Sequence, residues 1–427
     1  MRRVLIVTPY FPPINAPDMQ RVRMSLPYFR HNGWEPTVMT VDEQYAKGFR
    51  DELLLETIPD DIEVIKVGAY PEHITRKVGL GSLSLRSLPH FKKAGDELLR
   101  KKKYDLVFFS TSMHHVCALG RHWKKKFSVP FIVDMQDPWR NDFRIGKKKQ
   151  VSAFKFWIAY SINKYMEAYT MPEADGIISV SQSYIDTLRE RYPALEHVPA
   201  KVITFGASTI DFDLVTQKQL QPAAIDRDNG KINVLYMGAV TPFFIPLIRL
   251  FFEALLEHGA PLDKYHFYFI GTSYVQNSRI KMVADLAAEL NIDEYVTEIP
   301  DRAPYLNALA TLRAADILFI PGSTDAGYNA SKVYNNILSQ TPIFSIFHKN
   351  STVIPAIEQA GAGVVHSFDN LDDPAGMKKD IYEKWVELVQ NRNEYKASDK
   401  AYDFTAERKT SEICAFFEDV LNTKKHN

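Results

Sequence analysis

A lysine stands at the start of a predicted helix late in the chain, in the segment from Ser331 to Phe344. The segment reads as a loop, a helix beginning near Lys332, a short break at Thr341-Pro342 and a buried strand. Backbone N–H groups at a helix N-terminus, together with a lysine ammonium, attract anions and phosphate in particular. An ordinary surface helix leading into a strand is the alternative, which the segment taken alone would favour.

Two arginines follow the first predicted strand, after the Pro-rich turn that begins at Thr8. Arg21 and Arg23 lie in the first turn of the next predicted helix. The planar guanidinium group suits two-pronged capture of a phosphate or carboxylate. Arginines on a solvated helix face are the alternative interpretation.

Carboxylates and an aromatic ring follow the fifth predicted strand, in the run from Asp134 to Trp139. Asp134 or Asp137 could grip a sugar hydroxyl, and Trp139 could pack against the face of a sugar ring. Capping of a helix N-terminus by an aspartate is the ordinary alternative. His114 follows the fourth strand and could reach the same region. No third ligand at metal spacing accompanies it, so we assign no metal.

The length of 427 residues favours two domains, each with its own core. No apolar run reaches the 18 or so residues of a membrane span, and the opening residues read as a strand, not an export signal. Cys117 and Cys414 are too few for a disulfide framework. We therefore expect a cytoplasmic protein.

Short β-branched and aromatic runs alternate with amphipathic stretches along both halves of the chain. The polar stretch from about residue 207 to 230 separates the two series. This alternation predicts two tandem doubly wound α/β domains with parallel sheets. The predicted strands are Val4–Val7, Thr37–Thr40, Val64–Val67, Leu106–Ser110, Phe131–Val133, Ile177–Val180, Val202–Phe205, Asn233–Gly238, Tyr265–Gly271, Ile317–Pro321, Ile343–Ile346 and Gly363–His366. In such sheets ligands bind beyond the carboxyl ends of the strands.

The net charge of zero divides into +8 over residues 1–205 and −8 over the remainder. Lysine triplets at 101–103, 124–126 and 147–149 could draw the first half to an anionic membrane surface. Solvated helix ends are the alternative. The aromatic stretch 151–170 could form an interfacial helix, although packing on the first domain is the favoured interpretation. Salt-sensitive binding to anionic vesicles, abolished by neutralising the triplets, is the expected outcome.

Several motifs in order along the chain resemble family 4 glycosyltransferases of bacterial surface-polysaccharide clusters. They are Leu5–Pro13, Gly33–Thr40, Asp134–Trp139, Leu235–Gly238, Phe269–Gly271, Ala314–Asp316, Ser331–Tyr334 and Gly361–Gly363. The resemblance implies the GT-B fold, in which two Rossmann-like domains face a central cleft. It places an acceptor-side domain at 1–206, a nucleotide-sugar domain at 207–404 and, at 405–427, a helix that packs back on the first domain.

The resemblance also implies an activity: transfer of a sugar from a nucleotide diphosphate donor to a glycan or lipid-linked acceptor, with retention of configuration and without metal or other cofactor. Lys332 would stabilise the departing diphosphate, and Asp137 would orient or deprotonate a hydroxyl. The expected donor-binding residues are Gly238, Ser331, Lys332, Asn335, Asn15 and Arg249. The expected acceptor-side residues are Arg21, Arg23, His114, Asp134 and Trp139. We expect peripheral contact with the inner face of the cytoplasmic membrane and no nucleic acid partner.

Three positions depart from the family pattern. Asn15-Ala16 replaces a glycine pair, the stretch Ala239–Phe244 lacks the usual cation, and Asn335 stands where a glutamate holds the ribose. Two alternatives therefore stay open: a nucleotide-sugar epimerase of the same fold, and a catalytically silent subunit that scaffolds a partner transferase. Transfer to an acceptor separates the enzyme from both.

Overall fold

The computed structural model describes residues 1–140, 153–273, 275, 277–324 and 330–423. The chain divides into two compact units, each described here by itself. Unit 1 comprises Met1–Gly206 and Ala406–Asn427, and unit 2 comprises Ala207–Thr405. The predicted lysine triplet 147–149 lies outside the described residues. Within them, none of the helices has the length and apolar character that crossing a membrane requires.

Unit 1 is built on a seven-stranded parallel sheet in the order β5-β3-β1-β6-β7-β8-β9, with β2 and β4 forming a separate antiparallel pair. Its central strands are apolar on both faces and fully buried, as expected where helices cover both sides of a sheet. The strands are β1 (Arg2–Val7), β2 (Ile14–Asn15), β3 (Trp34–Val41), β4 (Phe49–Arg50), β5 (Glu63–Val67), β6 (Leu106–Ser110), β7 (Phe131–Met135), β8 (Gly176–Ser179) and β9 (Ala200–Val202).

The helices of unit 1 cover the two faces of this sheet. Those from the first 206 residues are α1 (Gln20–Ser25), α2 (Glu72–Thr75), α3 (Leu83–Lys101), α4 (Ala118–Phe127), α5 (Ala153–Thr170) and α6 (Gln182–Arg191). Ser82 caps α3 by accepting a hydrogen bond from the backbone N–H of Leu85 at 3.3 Å.

The lysine triplets end α3 and α4, where cations complement the helix dipole. Each of these helices leads into the amino end of a strand, at the sheet edge opposite to the expected ligand edge. Three of the six lysines also pair with carboxylates: Lys102 with Glu63, Lys124 with Asp175 and Lys126 with Asp96. The described triplets therefore fit solvated, partly neutralised helix ends better than a docking surface.

Unit 2 repeats the design with a six-stranded parallel sheet in the order β12-β11-β10-β13-β14-β15. Its strands are β10 (Ile232–Met237), β11 (Tyr265–Ile270), β12 (Val296–Ile299), β13 (Ile317–Pro321), β14 (Ile343–His348) and β15 (Gly363–Phe368). Its helices are α7 (Thr209–Gln217), α8 (Ile245–Glu257), α9 (Met282–Glu289), α10 (Tyr305–Ala314), α11 (Val333–Leu338), α12 (Ile354–Ala360) and α13 (Pro374–Asn391).

The last helix, α14 (Ala406–Thr423), belongs to unit 1. Phe417 is fully buried and contacts the rings of Phe29, Trp34 and Phe108, with ring centroids 5.0 to 6.4 Å apart. Rings at such separations add stabilisation beyond the area that they bury. The buried face of this helix includes Ile413, Phe416, Phe417 and Val420.

Each sheet has one point at which the strand order reverses. In unit 1 it lies between β1 and β6, and in unit 2 between β10 and β13. Loops on either side of such a point leave in opposite directions and open a crevice at the carboxyl ends of the strands. The loops after these four strands are therefore the first places to look for a site.

Within the two parallel sheets, the strand predictions differ from the structure at two places. The predicted run Val202–Phe205 is wrong in position, because the strand is β9, Ala200–Val202. Strand β12 was not predicted, since its four residues include Thr297 and Glu298 and alternate in burial at the sheet edge.

Candidate active site

In unit 2 the ammonium of Lys332 lies against the backbone of Gly238, across the switch point of the sheet. Gly238 follows β10 with φ of 144°, and a β-carbon built there would stand 1.7 Å from Nζ of Lys332. Only glycine leaves room for the amine in this place. The same Nζ lies 5.7 Å from the ring centroid of Tyr236, over its electron-rich face.

The charge of Lys332 has a second cation as its neighbour. Loss of hydration and the nearby Arg302 guanidinium lower the pKa of the lysine to about 8. The residue nevertheless remains accessible at the surface, so an anionic ligand can reach it. A bound anion would raise this pKa again, because an opposite charge favours ionisation.

Asn335 and Ser331 lie on either side of Lys332. Asn335 is half-buried in the first turn of α11, where its side-chain amide meets the hydroxyl of Tyr305 at 3.4 to 3.5 Å. Ser331 is exposed. Helix α11 has only six residues, so its dipole adds less to an anion site than the lysine charge does.

Arg249 lies on α8, where its guanidinium pairs with Glu289 at 2.6 Å and with Glu253 at 3.8 Å. These carboxylates neutralise the charge on the outer surface of α8 and α9. A direct contact of Arg249 with a donor stays a prediction, and the geometry gives it a structural role.

Unit 1 also has a contact across its switch point, which sequence reasoning missed. Asp18, in the loop after β1, accepts a hydrogen bond from the hydroxyl of Thr111, in the loop after β6, at 2.7 Å. Burial raises the pKa of the Asp18 carboxyl, and the charge of Asp137 raises it further. In the sequence, the one sign of a role for Asp18 is its position in a loop after a predicted strand.

Arg21 and Asp134 form a buried ion pair beside this contact. Arg21 Nε lies 2.9 Å from Asp134 Oδ2, and both side chains are almost fully enclosed. The guanidinium also donates to the carbonyl oxygens of Ile203 and Thr204, at 2.8 and 3.1 Å. The charge of Arg21 thus ties α1 to β7 and the end of β9. Contact of Arg21 or Asp134 with an acceptor stays a prediction.

Arg23 is fully buried and holds the loop after β1 in shape. Its guanidinium donates to the side-chain carbonyl of Gln20 at 2.7 and 2.9 Å and to the hydroxyl of Thr57 at 2.8 Å. The amide of Gln20 donates in turn to Asn15 at 3.0 Å. Asn15 and Arg23 therefore belong to one polar chain that fixes this loop.

Two buried carboxylates anchor the segment that carries Asp137. Before it, Asp134 accepts hydrogen bonds from the hydroxyl of Ser110 and the amide of Gln136, at 2.7 and 3.1 Å. After it, Glu167 of α5 accepts from the backbone N–H of Arg140 at 3.1 Å. Asp137 itself is exposed between these anchors. No helix begins within residues 136–140, so capping by Asp137 has no support in that stretch.

His114 and Trp139 stack on each other in the same region, with ring centroids 5.4 Å apart and planes 18° apart. Both are buried, and burial lowers the pKa of His114 to about 3. His114 is therefore neutral at physiological pH. Its Nε2 and the indole N–H of Trp139 find no hydrogen-bond partner within the part of the chain that is described. Both atoms are enclosed by protein, and contact of His114 or Trp139 with an acceptor stays a prediction.

Among the described residues, no group of three histidine, cysteine, aspartate or glutamate side chains is arranged to hold a metal ion. His115, next to His114, is held by the hydroxyl of Ser84 at 2.8 Å.

Both units have relatives among known proteins. Residues 20–206 match the family model described as a glycosyl transferase 4-like domain. This stretch is therefore similar to that family, in agreement with the resemblance drawn from the motifs. No curated protein sequence gives a significant match.

Solved structures show the same two-unit architecture along their whole length. HepE from Anabaena, solved in complex with UDP, is 13% identical with a TM-score of 0.53, covering 100% of both chains. Sucrose-phosphate synthase from Thermosynechococcus elongatus is 14% identical with a TM-score of 0.55, covering 100% of this chain and 98% of its own. A Listeria monocytogenes protein assigned as a UDP-N-acetylglucosamine 2-epimerase is 12% identical with a TM-score of 0.53, covering 99% of this chain and 97% of its own. At these identities the likeness shows the GT-B fold, which transferases and an epimerase share.

We expect Asp18→Asn to stabilise the protein at neutral pH. A carboxyl whose pKa is higher in the folded state lowers stability as pH rises above its unfolded pKa of about 3.9. The uncharged amide removes this effect, so the melting temperature of the variant should exceed that of the wild type at pH 7.5, and the difference should shrink towards pH 4. Asp60→Asn, at an exposed position before β5, controls for the loss of one charge. A variant less stable than wild type at pH 7.5 would show that the ionised carboxylate is stabilising.

Proposed function

We propose that this protein transfers a glycosyl group from a nucleoside diphosphate-sugar to a hydroxyl of a glycan or lipid-linked acceptor in cell-surface polysaccharide synthesis. The observation that carries the proposal is the ammonium of Lys332 held over the bare backbone of Gly238, at the switch point of unit 2. Nucleotides bind at such points in doubly wound sheets. The complex of HepE with UDP supports a nucleotide donor.

In the proposed reaction the bond from the anomeric carbon to the diphosphate oxygen breaks, and a bond to the acceptor oxygen forms. Negative charge develops on the departing diphosphate, and a fixed cation such as Lys332 stabilises that charge in the transition state. We propose that this charge serves in place of a metal ion. Retention of configuration follows if the acceptor attacks from the face that the diphosphate leaves.

The acceptor hydroxyl loses its proton in this step. Asp137 is exposed on a segment anchored at both ends, so it can receive a hydrogen bond from that hydroxyl and orient it. The proton passes either to Asp137 or to the departing phosphate oxygen. A positioned carboxylate of this kind contributes about a hundredfold or more to a rate.

A lipid-linked acceptor would bring the protein to the inner face of the cytoplasmic membrane. Helix α5 supports this proposal better than the lysine triplets do. Trp157 and Tyr165 are 63% and 71% exposed and share one stripe of the helix with exposed Lys164. Glu167 and Thr170 of the same helix are fully buried, so α5 has both a packed and an exposed face. An aromatic and basic stripe is typical of interfacial helices.

A thermal-shift screen of nucleoside diphosphates and their sugar conjugates tests the donor, because a ligand that binds only the folded state raises its melting temperature. Transfer to a lipid or glycan acceptor then tests the reaction. Isomerised donor without transfer would favour the epimerase, and binding without either reaction would favour the silent subunit. No shift with any donor would contradict nucleotide-sugar binding.

Lys332→Ala should weaken nucleoside diphosphate binding by about 1.5 to 3 kcal/mol, the range for hydrogen bonds to charged groups. That corresponds to roughly a 10- to 150-fold higher Kd by calorimetry. Lys379→Ala, on the exposed face of α13, is the matched control and should bind as the wild type does. An unchanged Kd in Lys332→Ala would remove the lysine from the site.

Asp137→Asn should reduce turnover at least about tenfold because the carboxylate can no longer orient or deprotonate the hydroxyl. The Kd for the donor and the melting temperature should stay close to those of the wild type, since the side chain is exposed. Asp60→Asn serves as the control for charge. A loss of activity that merely follows a loss of stability would argue for a structural role.

Replacing Trp157 and Tyr165 by serine should reduce binding to anionic vesicles at least about tenfold, because the aromatic stripe is the part that enters the interface. Neutralising Lys101, Lys103 and Lys125 should have the smaller effect, which sedimentation with vesicles measures. Binding to neutral and anionic vesicles alike, or none to either at low salt, would contradict electrostatic approach to a membrane. If neutralising the lysines reduced vesicle binding more than the aromatic substitutions did, the membrane contact would be assigned to the triplets.

A further inference from the structure

Two cations of unit 2, Arg302 and Lys332, are near enough for the charge of one to lower the pKa of the other. Arg302 follows β12 and Lys332 precedes α11; both are exposed, and neither has an ion-pair partner within the described residues. Asp301, the nearest carboxylate in sequence, accepts a hydrogen bond from the backbone N–H of Asn277 at 2.7 Å. Two like charges close together repel each other, and an anion bound between them removes this repulsion.

The backbone places these cations over neighbouring strand ends. Gly238 and Gly271 follow the adjacent strands β10 and β11, and the N–H of Gly238 donates to the carbonyl of Ile270 at 2.8 Å. Lys332 Nζ lies against Gly238, as described above. A β-carbon built on Gly271 would stand 3.7 Å from Cα of Arg302 and 3.8 Å from its Cγ. Since paired strands are about 4.8 Å apart, the two positions are within the reach of one small ligand.

A side-chain contact holds the two loops together. Tyr305 stands three residues after Arg302 and Asn335 three residues after Lys332, and their side chains meet at 3.4 to 3.5 Å. This contact links the backbone segments that carry the two cations. The stretch Ala239–Phe244, which follows β10, contains no lysine or arginine.

We propose that Arg302 and Lys332 together clamp the two phosphates of a nucleoside diphosphate, and that Arg302 supplies the charge that the loop after β10 lacks. This inference rests on the proposed function and specifies how its donor is held. A guanidinium can bind phosphate oxygens in a two-pronged manner, whereas the lysine acts as a point charge. The pair should therefore discriminate a diphosphate from a monophosphate.

Calorimetry on the full-length protein tests the pair, with the nucleoside diphosphate that gives the largest thermal shift, its monophosphate and inorganic pyrophosphate as probes. Arg302→Gln should raise the Kd for the diphosphate at least about tenfold and that for the monophosphate less than about threefold, because the monophosphate can be held by Lys332 alone. The Kd of Arg302→Lys for the diphosphate should lie between those of the wild type and Arg302→Gln. Arg227→Gln, an exposed arginine before β10, should match the wild type for every probe.

If Arg302→Gln lost equal affinity for the monophosphate and the diphosphate, or lost none for either, the assignment of Arg302 would be overturned. Pyrophosphate separates this failure from a failure of the proposed function. If the wild type binds pyrophosphate but no nucleotide, the glycosyl-donor proposal fails, and loss of pyrophosphate binding in Arg302→Gln still supports the cation pair. If the wild type binds neither pyrophosphate nor any nucleotide, both proposals fail.

Discussion

The ammonium of Lys332 occupies the space where any residue other than glycine would carry its β-carbon at position 238. That constraint determines where the lysine ammonium can lie in unit 2. A side chain at this strand end would displace the lysine from the switch point, and the loop after β10 has no cation of its own to replace it. The placement also explains why the lysine can be accessible to a ligand and yet have a lowered pKa, since protein and a second cation surround its charge.

Unit 1 differs from unit 2 in that the residues expected on its acceptor side include a buried ion pair. Arg21 and Asp134 are both buried, and the fully buried Glu167 pairs with Arg191, whose side chain is 17% exposed. Removing one partner of such a pair is costly, about 3 to 5 kcal/mol, because the other charge stays buried without compensation. The two ion pairs hold the segment from Asp134 to Arg140 in place and leave Asp137 exposed. The raised pKa of Asp18 is a further sign that this region gives up stability for polar groups at the strand ends.

The sequence was sufficient for the sheets, because buried parallel strands are continuous apolar runs that alternate with helices. The sequence did not predict β12, because its short apolar run is interrupted by Glu298 and resembles a loop. Arg302, which follows that strand, was therefore overlooked as well. Arg21 and Arg23 were expected to face a ligand because arginine is suited to anions. The residues that bind them, Asp134 and Thr57, lie far away in sequence, so only the folded chain reveals that both are buried. The lysine triplets were likewise read as a charged surface, although half of the described ones pair with carboxylates from other elements.

The most direct test of the account is a crystal structure of the protein with the nucleoside diphosphate that stabilises it most. The account predicts a diphosphate at the carboxyl ends of β10 and β11, with phosphate oxygens within about 3 Å of Nζ of Lys332 and of the Arg302 guanidinium, the distance of a charge-assisted hydrogen bond. Gly238 should lie in contact with the ligand. A nucleotide bound elsewhere in unit 2, with both cations facing solvent, would contradict the central claim.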